Sequence, residues 1–292
     1  MQPTTTGIVT RDDFIAMPEG TPQAGLITWW DMSGMVEAGR LRAAWDAAGL
    51  DAALVPEDPA PKQALRRAVD ALTERHKLAR PLAGAQGFSL VEETAAGDKL
   101  DYQQTVTATI DAIGQLKVEP SESKTADLIR ASYQIHLEQF TPSDISGMLV
   151  ALSDSLQGVA LRARGGFYFL PPVAVGPFRA AICVLRSVSS HTVYEMPALK
   201  TDSVVAAVLA AVEREATAEI EEFEQILSNT EAGPRALKTK VRQCSSVADK
   251  VATYEKLLGL SLVELQEKLA GLRSRLTEAS ILAAEAEAKT AT

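Results

Sequence analysis

The chain reads as an α+β protein. An antiparallel β-meander and a small ββαβ unit with packed helices are followed by a C-terminal three-helix antiparallel coiled-coil extension. Three observations predict this. From Tyr102 to Ile110, apolar and polar residues alternate with the period of a half-buried strand. Residues 159–163, 166–170, 176–189 and 191–196 read as strand, strand, helix, strand, a compact α+β unit. From about Asp202 to Ala288 the composition turns to Ala, Glu, Leu, Lys and Arg, with Pro234 as its one proline. Three apolar stripes at spacings of three and four run through that stretch. The expected organisation is a loosely ordered segment over 1–24, a body over 25–200 and a helical region over 201–292.

In order along the chain, Pro3, Pro18, Gly20 and Pro22 interrupt any periodicity at the start. Leu26-Ile27-Thr28-Trp29-Trp30 reads as a short strand or an apolar anchor. Ser33 suits a helix N-cap and Gly49 a C-terminal cap, with Val36, Leu41, Ala44, Trp45 and Ala48 as the apolar face. Pro61 fits the first position of the next helix, where its missing N–H is no loss. The pattern carries that helix to about Ala79, with Leu65, Ala68, Val69 and Leu72 inward, and Pro81 ends it.

Phe88–Val91, Tyr102–Ile110 and Leu116–Val118 then form a three-stranded antiparallel meander, turning at Gly97-Asp98 and Gly114. Its alternation implies one buried and one wet face. A helix follows over about Lys124–Phe140. The next starts at Thr141, which caps, with Pro142 at the first helical position and Asp144 reaching back; Gly158 stops it. Two strands meet around Arg164-Gly165, where Gly165 and Gly166 supply positive φ.

In the helical region, Leu262, Leu265, Leu269, Leu272, Leu276, Ala279 and Ala283 form the seam of the third helix. Leu237, Val241, Cys244, Val247, Val251, Tyr254 and Leu258 do so in the second, and Val205 to Leu227 in the first. The breaks fall at Gly233-Pro234 and Gly259. Ser261 and Glu264 suit a capping box. At ~1.5 Å per residue each helix is roughly 35–42 Å long. The first ends acidic (Glu219, Glu221, Glu222, Glu224) and the second starts basic (Arg235, Lys238, Lys240, Arg242). Both placements oppose the helix macrodipole. An antiparallel hairpin would set the two groups side by side and offset that cost.

With 292 residues, the net charge of −9 argues against a broadly basic, nucleic-acid-coating surface, though not against a local basic patch. Cys183 and Cys244 form no disulfide framework, so a reducing, cytoplasmic setting is expected. The N-terminus lacks the basic and apolar regions of a signal peptide. No run approaches the ~18 apolar residues of a membrane span.

Chemical motifs are missing. There is no phosphate loop, no dinucleotide fingerprint, no nucleophile elbow, and no Cys-x-x-Cys or His-Glu-x-x-His. His76, His136 and His191 each stand alone. Glu92 and Glu93, adjacent on a strand, point to opposite faces; with Asp98, Lys99 and Asp101 they read as ordinary turn and strand residues. No catalytic, cofactor-binding or metal-ligating residue is expected, and no cofactor. The most site-like stretch is Arg162-Ala163-Arg164-Gly165-Gly166-Phe167-Tyr168-Phe169. Its arginines and Tyr168 suit phosphate and base contacts, with Arg66 and Arg67 of the basic 61–80 helix as further candidates. A hairpin with a buried aromatic strand explains the same residues. Trp29 and Trp30 read as core or as partner anchors, and Leu265, Leu269, Leu272 and Leu276 as a partner-binding seam.

The meander, the two helices after it and Gly-Gly-Phe-Tyr-Phe-Leu-Pro at 165–171 resemble an uncharacterised family of prokaryotic and phage-encoded proteins over about 25–200. The resemblance implies no activity and no functional residues. The expected function is non-enzymatic: an interaction or assembly protein that self-associates or docks a protein partner through its C-terminal helices. The alternative is a nucleic-acid-associated accessory protein. A carboxylate enzyme is the remaining reading. Removal of 202–292 is expected to leave a folded body.

Overall fold

The computed structural model describes residues 22–74, 76–96, 99–163, 165–228 and 232–290. Among them are eight α-helices and three sheets, a mixed arrangement of helices and antiparallel sheets. They fall into two compact units. One holds the described residues up to Trp30, Val150–Arg179 and the described residues from Val193 on; the other holds Asp31–Leu149 and Ala180–Thr192.

The second unit is built on a four-stranded meander of β3 (Lys77–Pro81), β4 (Gly87–Ala96), β5 (Lys99–Ile110) and β6 (Leu116–Glu119). Consecutive strands pair antiparallel, with Phe88 opposite Ala108 and Ala108 opposite Val118. The inward set Phe88, Leu90, Val106, Ala108, Ile110 and Val118 is buried, as the alternation predicts. It packs on α2 (Pro61–Asp70) through Leu65 and Val69, and on α3 (Lys124–Glu138) through Ile129 and Tyr133.

Two expectations change here. The 61–79 helix stops at Asp70, and the meander gains a fourth strand, because Leu78 and Ala79 pair with Val91 and Leu90. Ladder hydrogen bonds to β4 outweigh the local helical pattern there. The first helix, α1 (Ala38–Ala47), starts later than Ser33, since β2 (Val36–Glu37) pairs with β7 (Gln139–Phe140). Ser33 instead donates its N–H to Nδ1 of His191 (3.1 Å). The same pairing ends α3 before Phe140.

Helix α4 (Pro142–Ser155) is capped as expected: Thr141 donates its N–H and hydroxyl to Asp144, and Asp144 N–H donates back to Thr141 Oγ1 (3.3 Å). A four-stranded sheet of order β10-β1-β9-β8 follows. Its strands are β1 (Gln23–Asp31), β8 (Val159–Ala160), β9 (Phe167–Leu170) and β10 (Thr192–Leu199). The expected ββαβ unit is therefore completed by a strand from the N-terminal side, where Leu26 pairs with Leu170 and Trp29 with Phe167. Helix α5 (Pro172–Val188) starts at Pro172 and contains Pro177.

The long helices are α6 (Asp202–Ser228), α7 (Pro234–Leu258) and α8 (Val263–Thr290). Pro234 opens α7, and Gly259, at φ 71°, closes it in the left-handed region. The Ser261–Glu264 box is replaced: Glu255 accepts from Leu262 N–H (3.2 Å) and from the Gln266 side chain. The stripes meet in one core, including Val212 and Phe223 of α6, Cys244 and Tyr254 of α7, and Leu269 and Leu276 of α8. Phe169, Val159, Ala24 and Ala198, all within or beside the first unit's sheet, belong to that same core. Lys240 pairs with Glu222, and Lys268 approaches Glu224 at 4.0 Å. Among the described residues, no helix is long and apolar enough to cross a membrane.

Candidate functional site

Two features of the first unit gather chemically useful side chains. The first is an aromatic ledge across three strands. Trp29 and its register partner Phe167 lie with ring centroids 5.8 Å apart, and Trp29 stacks on Tyr194 at 5.3 Å and 12°. The Arg162 guanidinium lies 5.8 Å from the Phe167 ring centroid. Tyr194 keeps 42% of its surface exposed. Side chains alternate along β1, so Trp30 leaves from the opposite face and stacks on Tyr168 (5.5 Å, 10°).

The turn before Phe167 uses its two glycines differently from the expectation. Gly165 has φ 81°, but positive φ is not the role of Gly166. A Cβ on Gly166 would lie 2.3 Å from the Trp30 ring, so close approach is what requires glycine there. Arg164 lies outside the described residues, as does Asp98.

The remaining candidates are placed as follows. Arg66 and Arg67 belong to the other unit. Arg66 pairs with Asp70 at 2.8 Å, and Arg67 with Asp144 at 3.0 Å. Burial pushes the Asp144 carboxyl up, but hydrogen bonds from Arg67 and from Thr141, with the Arg67 charge, outweigh it and hold the group below its usual range. Leu269, Leu272 and Leu276 are buried in the core shared with α6, α7 and the sheet, with Leu265 packed against it. Glu93 stands opposite Tyr102 in the β4–β5 register, and its carboxylate holds that phenol above its ordinary value. His136 and His191 are buried, which lowers both imidazoles and favours their neutral form. Cys183 and Cys244 are free thiols. Among the described residues no His, Cys, Asp or Glu cluster is arranged to hold a metal ion.

The second feature is a cleft of about 420 Å³ between the end of α4, strand β9 and helices α6 and α7. Its charged lining is Asp154, Glu215, Glu219 and Lys250. Val212, Ala216, Val247 and Val251 supply an apolar wall. Glu215 is fully engaged: it accepts from the Ala160 N–H (2.6 Å) and from Lys250 (3.2 Å), which also donates to the Gly158 carbonyl (2.8 Å). Asp154 is an exposed residue at the rim. Partial desolvation against the cleft wall still pushes its carboxyl above the ordinary value; Glu215 and Glu219 push the same way and Lys250 opposes them. Tyr168 is 7% exposed, and burial with the Asp154 and Glu215 charges pushes its hydroxyl up to about 12.

Sequence reasoning found Trp29, Arg162 and Tyr168 but passed over Tyr194, Asp154, Glu215 and Lys250. The one sequence signal for the cleft was Glu215 and Glu219, like charges four residues apart on one helix face. Neither a curated protein nor a solved structure matches the chain. A family model spans residues 25–288, taking in the three long helices as well as the body, and the chain belongs to that family, the family of unknown function DUF6744.

Proposed function

We propose that the protein is a non-enzymatic interaction or assembly protein that docks a second protein chain through the outer faces of its C-terminal helices. In this reading α6, α7 and α8 form an antiparallel coiled coil whose inner seams hold the chain's own core. The observation that carries it is an apolar groove of about 460 Å³ between Pro234, Lys238 and Val241 of α7 and Thr277, Ile281 and Ala284 of α8. Ile281 and the adjacent Leu282 are 55% and 65% exposed. Large apolar side chains left open beside such a groove are what a partner would cover. Light scattering of the full chain is expected to give a mass above one chain, or a co-purifying protein. Changing Ile281 and Leu282 together to Glu is expected to abolish the complex and leave the melting temperature unchanged. A lone monomer, or a complex indifferent to the double change, would refute the reading. The role requires neither the cytoplasmic setting nor the prokaryotic or phage-encoded origin expected above, and is compatible with both.

A second reading, a nucleic-acid-associated accessory protein, is favoured by the ledge of Trp29, Phe167 and Tyr194 beside Arg162, since bases stack on exposed rings regardless of sequence. It differs from the first in its test: binding of a fluorescent single strand that weakens steeply with salt and is lost in Arg162→Ala.

A further inference from the structure

The cleft beside Tyr168 holds negative charge that the chain does not neutralise. Lys250 is committed to Glu215 and to the Gly158 carbonyl. That leaves Asp154 and Glu219 lining the same space with no ion-pair partner among the described residues. Asp154 is further disfavoured by its place in the last turn of α4, where the helix dipole prefers a cation. Tyr168 adds an independent sign. The residue is more than nine-tenths buried, yet its hydroxyl makes no hydrogen bond to another described residue and its oxygen is not sealed in the core. It opens into the cleft, where it can accept from a bound group.

We propose that this cleft binds a small organic cation, an ammonium or guanidinium head on an aliphatic body, with Asp154, Glu219 and the Tyr168 hydroxyl as acceptors for the head. An ammonium carries three N–H donors and no acceptor, which suits two carboxylates and a phenol oxygen. The apolar wall of Val212, Ala216, Val247 and Val251 suits an alkyl chain. The size, about 420 Å³, is within the range of small-molecule sites. The carboxylates do not converge as metal ligands do, so a cation with its own spatial extent fits better than a bare ion. The proposal is independent of the docking role: the cleft lies between α4, β9, α6 and α7, and the docking groove between α7 and the end of α8.

The test is calorimetric titration of the full chain with agmatine and cadaverine. Pentan-1-ol and pentanoate serve as neutral and anionic controls, and acetyl-Gly-Arg-Gly-amide as a peptide source of the same head group. Saturable binding of the free amines, absent for the two controls, is expected. Asp154→Asn and Glu219→Gln are each expected to weaken it about tenfold or more. Folding is controlled by the same variant. Asp154 is exposed at the cleft rim, so unliganded Asp154→Asn is expected to melt with the parent. Equal response to the amines and the controls, undiminished binding by Asp154→Asn, or binding of the peptide alone overturns the proposal.

Discussion

Neighbouring residues of this chain perform unlike tasks, and the pairs Trp29-Trp30 and Gly165-Gly166 show it most directly. Trp29 joins the ledge with Phe167 and Tyr194, while Trp30 covers Tyr168 on the other face. Period-two alternation makes that division unavoidable once both lie on one strand. Gly166 allows it, because the Trp30 ring occupies the space a Cβ would take, 2.3 Å away. Gly166→Ala must therefore push Trp30 off Tyr168. Overpacking of this kind costs about 1–3 kcal/mol. Urea denaturation followed by tryptophan fluorescence is expected to show that loss, with a changed native emission; a midpoint equal to the parent's would show that the ring moves freely. The glycine pair was legible in the sequence as a turn. The separate reason for its second member was not, since it lies in a ring more than a hundred residues earlier in the chain.

At the scale of elements, β8 is two residues long and sits at the end of its sheet. An open edge offers unpaired N–H and C=O groups. Here helix side chains take the place of a further strand: Glu215 accepts from Ala160 N–H at 2.6 Å, and Arg214 donates to the Ala160 carbonyl. Lys250 adds a bond to Gly158 at 2.8 Å, so alternate residues along the edge, Gly158 and Ala160, are held by two different helices. Glu215→Ala would leave the Ala160 N–H without its acceptor and the Lys250 ammonium without its carboxylate, holding only the Gly158 carbonyl. With these side chains 27% and 16% exposed, the loss is expected to be about 2–3 kcal/mol. Glu215→Gln, which keeps an acceptor, is expected to lose less; equal losses for the two, measured by chemical denaturation, would sink the capping role. The long helices were legible because their stripes repeat every three and four residues over seven turns or so. The strand Lys77–Pro81 was not: five residues continuing an apolar helical pattern carry no signal of their own, and only the partner strand decides them. The Glu215 cap was hidden for a related reason, as 55 residues separate it from the N–H it serves.

For the whole molecule, composition marks where the helices begin but not what the sheet rests on. The change at about residue 200 suggested a body that would survive without its helical region. The core says otherwise. Phe169 and Val159 of the sheet, with Ala24 and Ala198, are buried in the same cluster as Val212, Phe223, Tyr254 and Leu269. Tyr254 also donates its hydroxyl to the Gln157 carbonyl at 2.8 Å, fixing the turn that leads into β8. Removing everything after Thr201 would return Phe169 and its neighbours to water. It would also strip the Glu215, Arg214 and Lys250 contacts from the sheet edge. At about 25 cal/mol per Å² of apolar surface, uncovering one phenylalanine alone costs about 2–3 kcal/mol, a large share of an ordinary domain's stability. A fragment ending at Thr201 is therefore expected to lose the near-ultraviolet circular dichroism of Trp29 and Trp30 and to aggregate. The full chain carrying Ile281 and Leu282 changed to Glu should keep that signal. A soluble fragment with the parent's aromatic spectrum would show instead that the sheet folds without the helices and that their shared core contributes little to it.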